Sequence, residues 1–295
     1  MTSSEDENIS TLVAMGFTEE KSKEALSASS GSLERAADIL LSGCGGPILP
    51  AETNHPSRST DTSDTVSAHS QVQTTARLVH SSLSQYSDPS GKSACTSIAL
   101  NLAVNFLNGE QTAVTAEYLG SSVLEGIQMY SELHAASGAS EHSSVEELLA
   151  AVNLSAVHSE KLAPMTMLGG SPRQGLLSNA RDNPMGLDVV LSQCQRDAAH
   201  VNSYVAAVIT KPPETILVLL PPRGQSGLPY ILVDSHPRPN LCASGSYALL
   251  NSDFDGLLES SRQVFSPTEL GPDVPELMAM MYNSFDVYPF VRGNS

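Results

Sequence analysis

Tryptophan is absent from the 295-residue chain, aromatic residues make up only 5%, and just four cysteines occur. Those cysteines (Cys44, Cys95, Cys194 and Cys242) stand far apart, with no C-x-x-C pair. Such spacing argues against a zinc ribbon or a disulfide framework, and for free thiols in a reducing compartment. Basic side chains are also scarce. Fifteen Lys and Arg face 32 Asp and Glu, a net charge of −17. A surface of that sign repels phosphate backbones and anionic lipid, so neither nucleic acid nor membrane is an expected partner. No apolar run reaches the roughly 18 residues a membrane-spanning helix needs. The polar, acidic start Met1-Thr-Ser-Ser-Glu-Asp-Glu lacks the basic and apolar regions of a secretion signal. A cytoplasmic and/or nuclear protein is expected.

What is present divides into three segments. Residues 1–43 hold eight acidic and three basic side chains, net −5, leaving −12 for the remainder. Within them, Ile9, Leu12 and Val13 keep helical spacing and lead into Met15-Gly16-Phe17. Thr18 is placed to cap a second helix with Glu19 and Glu20 in its first turn and Ala25 and Leu26 facing inward. Gly31-Ser32 ends that helix and opens a third, Leu33 to Leu41. From 44 to 75 the apolar period stops, and 53–75 is nearly half Ser and Thr. This reads as a disordered linker.

The N-terminal pattern resembles the ubiquitin-associated (UBA) domain: a Met-Gly-Phe loop, an acidic second helix, and "GSLERAADILLSG" as the third. In that family the loop and the end of the third helix form one apolar patch that grips ubiquitin. The resemblance therefore implies Met15, Gly16, Phe17, Leu40 and Leu41 as ubiquitin contacts, and ubiquitin or polyubiquitin chains as the partner. A bundle this small cannot bury every apolar side chain, which suits a binding patch.

From residue 76 onward the pattern changes again. Ser93–Leu107 reads as an amphipathic helix with Ile98, Leu102 and Phe106 on one stripe and Ser93 as cap. Helices are expected at 115–135, 144–152 and 184–199, the second opened by a Ser143-x-x-Glu146 capping box. Residues 159–183, rich in Gly, Pro and Ser, read as a long surface loop. Strands are expected at Tyr204–Thr210, Thr215–Leu220, Tyr230–Val233 and Tyr247–Leu250. The fold class predicted is α+β: a small three-helix bundle, a flexible linker, and at 76–295 a helical half packed on an antiparallel sheet.

Two places in this last segment carry chemistry. Cys95 opens a helix, where partial positive charge favours a thiolate and unpaired N–H groups can meet an oxyanion. The alternative is a small buried hydrophobe, as most isolated cysteines are. The run Tyr230-Ile-Leu-Val-Asp-Ser-His places Asp234 and His236 on one strand face, where a carboxylate can fix the imidazole tautomer. An ordinary turn, or an ion pair without catalysis, would use the same residues. Among the other histidines His200 is the serious competitor; His80, His134, His142 and His158 are expected in loops or on polar helix faces. The Cys and His residues lack the paired close spacing of a zinc site, so no metal and no cofactor is expected.

Gln85, "ACTSIALN" (94–101) and "ILVDSHPRP" (231–239) together resemble papain-like cysteine proteases. More closely, they resemble the deubiquitinating domain of the herpesvirus large tegument protein and its cellular tegument-like relatives. That resemblance implies Cys95 as nucleophile, His236 as general base and then acid, Asp234 as orienter and Gln85 as oxyanion donor. The implied function is thiol-dependent hydrolysis at the C-terminus of ubiquitin. A non-catalytic ubiquitin adaptor, and a protease for another ubiquitin-like modifier, are the alternatives.

Overall fold

The computed structural model describes residues 8–9, 19–29, 31, 36, 76–109, 113–137, 142–178, 183–225, 227–271 and 274–293. The chain divides into two compact units. One comprises residues 1–72 with 269–279, and the other 73–268 with 280–295.

In the first unit, helix α1 spans Glu19–Ala28. Its inward face is Ser22, Ala25 and Leu26, and Glu19 and Glu20 occupy the positive end of the helix dipole. Gly31 adopts φ +86 and its N–H donates to Leu26 O at 2.8 Å, closing the helix with a left-handed residue that glycine adopts without strain. Ala36 is fully buried. Met15, Gly16, Phe17, Leu40 and Leu41 lie outside the described residues, as do Cys44 and the linker.

The second unit is built on a single antiparallel sheet. Its strands are β1 (Arg77–His80), β2 (Met165–Met167), β3 (Arg173–Leu176), β4 (Val205–Lys211), β5 (Glu214–Leu220), β6 (Tyr230–Asp234), β7 (Tyr247–Asn251) and β8 (Ser284–Arg292). The order across it is β1-β7-β6-β5-β4-β8-β2, with β3 also pairing with β8. The central strands are buried except at their shared hairpin end, because alternate residues face two different cores. Ala206, Val208, Leu217 and Leu219 point into a core shared with α2 (Cys95–Leu107) and α3 (Ala116–Ser137). Val205, Ala207, Ile216 and Val218 point to the other face, covered by α6 (Leu187–Val201) and α7 (Phe254–Val264). Short helices α4 (Val145–Ala150) and α5 (Ala156–Leu162) supply Val145, Leu148 and Leu162 to the first core. Helix α8 (Glu276–Asn283) precedes β8. No helix among the described residues is long and apolar enough to cross a membrane.

The α+β class is as expected, but helices cover both faces of the sheet where one helical half was anticipated. The reason is legible in the strands, whose apolar runs are continuous and so demand two covers. Helix α2 is likewise buried on every side from Cys95 to Asn105, not on one stripe. Its Asn101 and Asn105 tolerate this because their amides donate to Glu125 Oε2 on α3, at 3.3 and 3.1 Å, and Lys161 Nζ donates to the same oxygen at 3.0 Å.

The expected loop 159–183 contains the end of α5 and the strands β2 and β3, which run in the same direction along β8 and are separated by a turn at Gly169-Gly170, both with positive φ. These strands pair with β8, some 120 residues later in the chain, so no local period announces them. The capping box sits one residue later than anticipated: Ser144 Oγ accepts from Glu147 N, and Ser144 N donates to Glu147 Oε2. Ser143 meets His134 Nε2 instead, at 2.9 Å. His158, expected on a polar face, is buried, with Nδ1 2.7 Å from Glu132 Oε2.

Candidate active site

Helix α2 begins at Cys95, with Ala94 as the preceding residue and no side-chain cap; Ser93 does not fill that role. The first turn thus keeps its N–H groups free of any side-chain cap, next to the sulfur. Two 3₁₀ turns, Gln85–Ser87 and Pro89–Gly91, deliver the chain to this helix. Gly91 is obligatory there, since an added Cβ would lie 2.3 Å from Gln85 O. Thr96 Oγ1 meets Thr215 Oγ1 at 3.0 Å, pinning the first helical turn to β5.

The thiol of Cys95 is buried and lies 3.5 Å from the carbonyl of Pro213, at the β4–β5 hairpin tip. His236 is close enough to this sulfur for the two to interact electrostatically.

Strand β6 ends at Asp234, and the chain turns so that Asp234 Oδ1 accepts from both the backbone N (2.9 Å) and Nδ1 (2.6 Å) of His236. Asp234 Oδ2 accepts from Arg238 Nε at 2.9 Å and from the Tyr247 hydroxyl at 3.1 Å. Burial by itself would raise the Asp234 pKa, but the hydrogen bond and charge of His236 and the charge of Arg238 outweigh it. The carboxyl is held below its usual range. For His236, burial would depress the pKa, yet the hydrogen bonds and charges of Asp234 and Cys95 prevail and push it up to about 10. The cluster favours an imidazolium facing the sulfur, with Nδ1 fixed on Asp234 and Nε2 left for chemistry.

Gln85 is buried against the same cluster. Its Oε1 accepts from Ser235 Oγ at 3.0 Å, its Nε2 donates to Lys92 O at 3.2 Å, and its backbone N donates to Ser235 O at 3.2 Å. It links the loop after β6 to the turn before Cys95. The Tyr86 ring stands edge-on to His236 with centroids 6.3 Å apart.

Cys95, His236, Asp234 and Gln85 are thus gathered at one place. His200 lies elsewhere, exposed in the last turn of α6. Cys194 is buried on the inner face of α6; burial pushes its thiol up to about 11, leaving it a poor nucleophile. Cys242 is buried, its backbone N–H donating to Arg238 O at 2.8 Å and its carbonyl accepting from Arg238 N. Among the described residues no three His, Cys, Asp or Glu side chains are placed to hold a metal ion. Sequence reasoning missed Arg238, Tyr247, Glu214 and Tyr86. Arg238 was in view as the fourth residue after Asp234 in "DSHPRP", a spacing that a turn brings into contact.

No protein of curated function matches the chain. Among solved structures, it is similar to the ubiquitin-specific protease encoded by a murine cytomegalovirus tegument protein, crystallised with a ubiquitin-based suicide substrate. The identity is 15%, the TM-score 0.46, and the match covers 74% of this chain and 88% of the viral one. At the N-terminus, residues 4–40 match the family model of the UBA/TS-N domain, and this part of the chain is a UBA domain.

Proposed function

We propose that the protein is a cysteine-type deubiquitinase, in which Cys95 attacks the carbonyl of the terminal glycine of ubiquitin. The observation that carries this reading is the buried Asp234–His236 pair, with a 2.6 Å bond at Nδ1, facing a cysteine at an uncapped helix N-terminus. An Asp–His pair without catalysis would not require a thiol there. The UBA domain supports ubiquitin as the modifier recognised.

The imidazolium transfers its proton to the leaving amine as the C–N bond breaks, giving a thioester on Cys95. Neutral His236 then takes a proton from water, whose oxygen attacks the thioester and releases the ubiquitin carboxylate. The oxyanion of each step is met by first-turn N–H groups of α2 and by the side-chain amide of Gln85. Met15, Gly16, Phe17, Leu40 and Leu41 are the proposed ubiquitin-gripping patch.

Hydrolysis of a ubiquitin C-terminal fluorogenic amide, followed against pH, tests the proposal. Activity should persist well above pH 6.5 and fall towards about 10, as His236 loses its proton. The sign follows from the raised pKa: what the charged imidazole contributes is complete below 6.5 and lost as pH climbs through its folded value. No hydrolysis would favour a ubiquitin adaptor, and an alkaline limb near 6.5 would remove the Asp234–His236 pair from the mechanism. Deleting residues 1–75 should leave hydrolysis of this small substrate nearly unchanged while slowing cleavage of long chains, because tethered binding raises the local chain concentration. Equal slowing of both substrates would assign the segment to the catalytic unit instead.

A further inference from the structure

We infer that Arg238 is a positioning residue that ties the two walls of the catalytic cleft together through two donors of its guanidinium. This rests on the deubiquitinase reading for its rate measurements, and on geometry for its existence. One edge donates through Nε to Asp234 Oδ2 at 2.9 Å, and a terminal nitrogen donates to Glu214 Oε2 at 2.7 Å. Asp234 holds the imidazole on one wall. Glu214 opens β5 on the other, directly after Pro213, whose carbonyl lies 3.5 Å from the Cys95 sulfur. A single side chain thus fixes the distance between base and nucleophile.

The fork is itself held in place. Arg238 N donates to Cys242 O and Cys242 N donates back to Arg238 O, both at 2.8 Å, so the loop carrying Arg238 is a closed bridge. The guanidinium keeps only about a quarter of its surface exposed, so its two carboxylate bonds are poorly screened. The charged and titratable groups around it are Asp234 and Glu214, which it bonds, with Tyr247, Lys211 and Tyr86 nearby. Only a planar, forked donor meets two carboxylates in two directions at once; an ammonium delivers charge to one point.

Three variants read this out: Arg238→Ala, Arg238→Lys and Glu214→Gln. For Arg238→Ala, kcat on the fluorogenic ubiquitin substrate should fall about 10–100-fold with KM little changed, the scale of misplacing reacting groups by about an ångström. Arg238→Lys should restore the wild-type pH profile, since it restores the charge, but not kcat, since it cannot span both partners. Glu214→Gln, at the more exposed end of the bridge, provides a variant expected to fold. Combined with Arg238→Ala it should add no further loss, because the two residues act as one link. A parallel measurement needs no ubiquitin: the pH dependence of Cys95 alkylation by iodoacetamide, which should shift in Arg238→Ala and return in Arg238→Lys. Full rescue of kcat by lysine, additive losses in the double variant, or an unshifted alkylation profile would each overturn the role of Arg238. Wild-type protein that fails to cleave ubiquitin while the alkylation profile shifts as described would defeat the deubiquitinase reading and leave the bridge standing.

Discussion

Cys95→Ala should reduce hydrolysis of ubiquitin conjugates by about ten-thousand-fold or more, to the background of the assay, while leaving ubiquitin affinity intact. The asymmetry has a physical cause. The sulfur forms a bond only as the carbonyl becomes tetrahedral, so it contributes to the transition state and hardly to the ground-state complex. Folding should be almost unaffected. The side chain is small, its hydrogen bond to the Pro213 carbonyl is weak, and alanine occupies the same buried space with the loss of a single atom. Hydrolysis kinetics and a binding titration on the same preparation check both halves. Retained turnover would transfer the nucleophile elsewhere; Cys194, on the inner face of α6, has its sulfur engaged by Arg173 at 3.3 Å.

Asp234→Ala has the second largest expected effect, and here the structure changes what the sequence alone predicts. Read as an orienter only, Asp234 should cost rate and little else. In the fold it is 1% exposed and accepts four hydrogen bonds, two from His236 and one each from Arg238 and Tyr247. Alanine leaves a half-buried guanidinium and a buried phenol and imidazole short of a partner at once. Breaking a buried charge pair in this way costs about 3–5 kcal/mol. For a unit of this size that lowers Tm by roughly 6–20 °C. Turnover should fall about 100-fold, less than for Cys95, because the carboxylate makes and breaks no bond. Thermal unfolding beside the kinetics separates the two losses. A variant with normal Tm and normal rate would mean that Asp234 supports neither the fold nor the base. Because its folded pKa is depressed, the carboxylate's contribution to stability is present above the ordinary Asp range and is lost as pH falls below it.

What could be read from the sequence was what local chemistry encodes. The start of α2 at Cys95 follows from small residues after a Pro-Ser-Gly turn. The four long apolar strands followed from runs of branched residues, and the Asp-Ser-His end of β6 from its position after one of them. The missing parts were those whose meaning lies across the chain. Strand β1 pairs with β7, and β8 returns from the C-terminus to lie between β4 and the short strands β2 and β3. None of these pairings leaves a local trace. His158 was misread for the same reason, since Glu132, which buries and binds it, stands 26 residues earlier. Gln85 was legible as a site residue only through resemblance. Its hydrogen bonds to Ser235 and Lys92 give it a structural task that no motif conveys. Arg238 was visible in the motif yet carried no role until Glu214, from a different strand, came into reach.

The central claim is that Cys95 is the nucleophile of a ubiquitin-directed enzyme, activated by His236 and Asp234. It is tested most directly by a ubiquitin whose C-terminal carboxyl is replaced with a thiol-reactive electrophile. Incubated with the full chain at neutral pH, this probe should form one covalent adduct, and peptide mass spectrometry should place it on Cys95. The adduct should vanish in Cys95→Ala and form far more slowly in His236→Ala. An adduct on another cysteine, or none with the wild-type protein, would contradict the account.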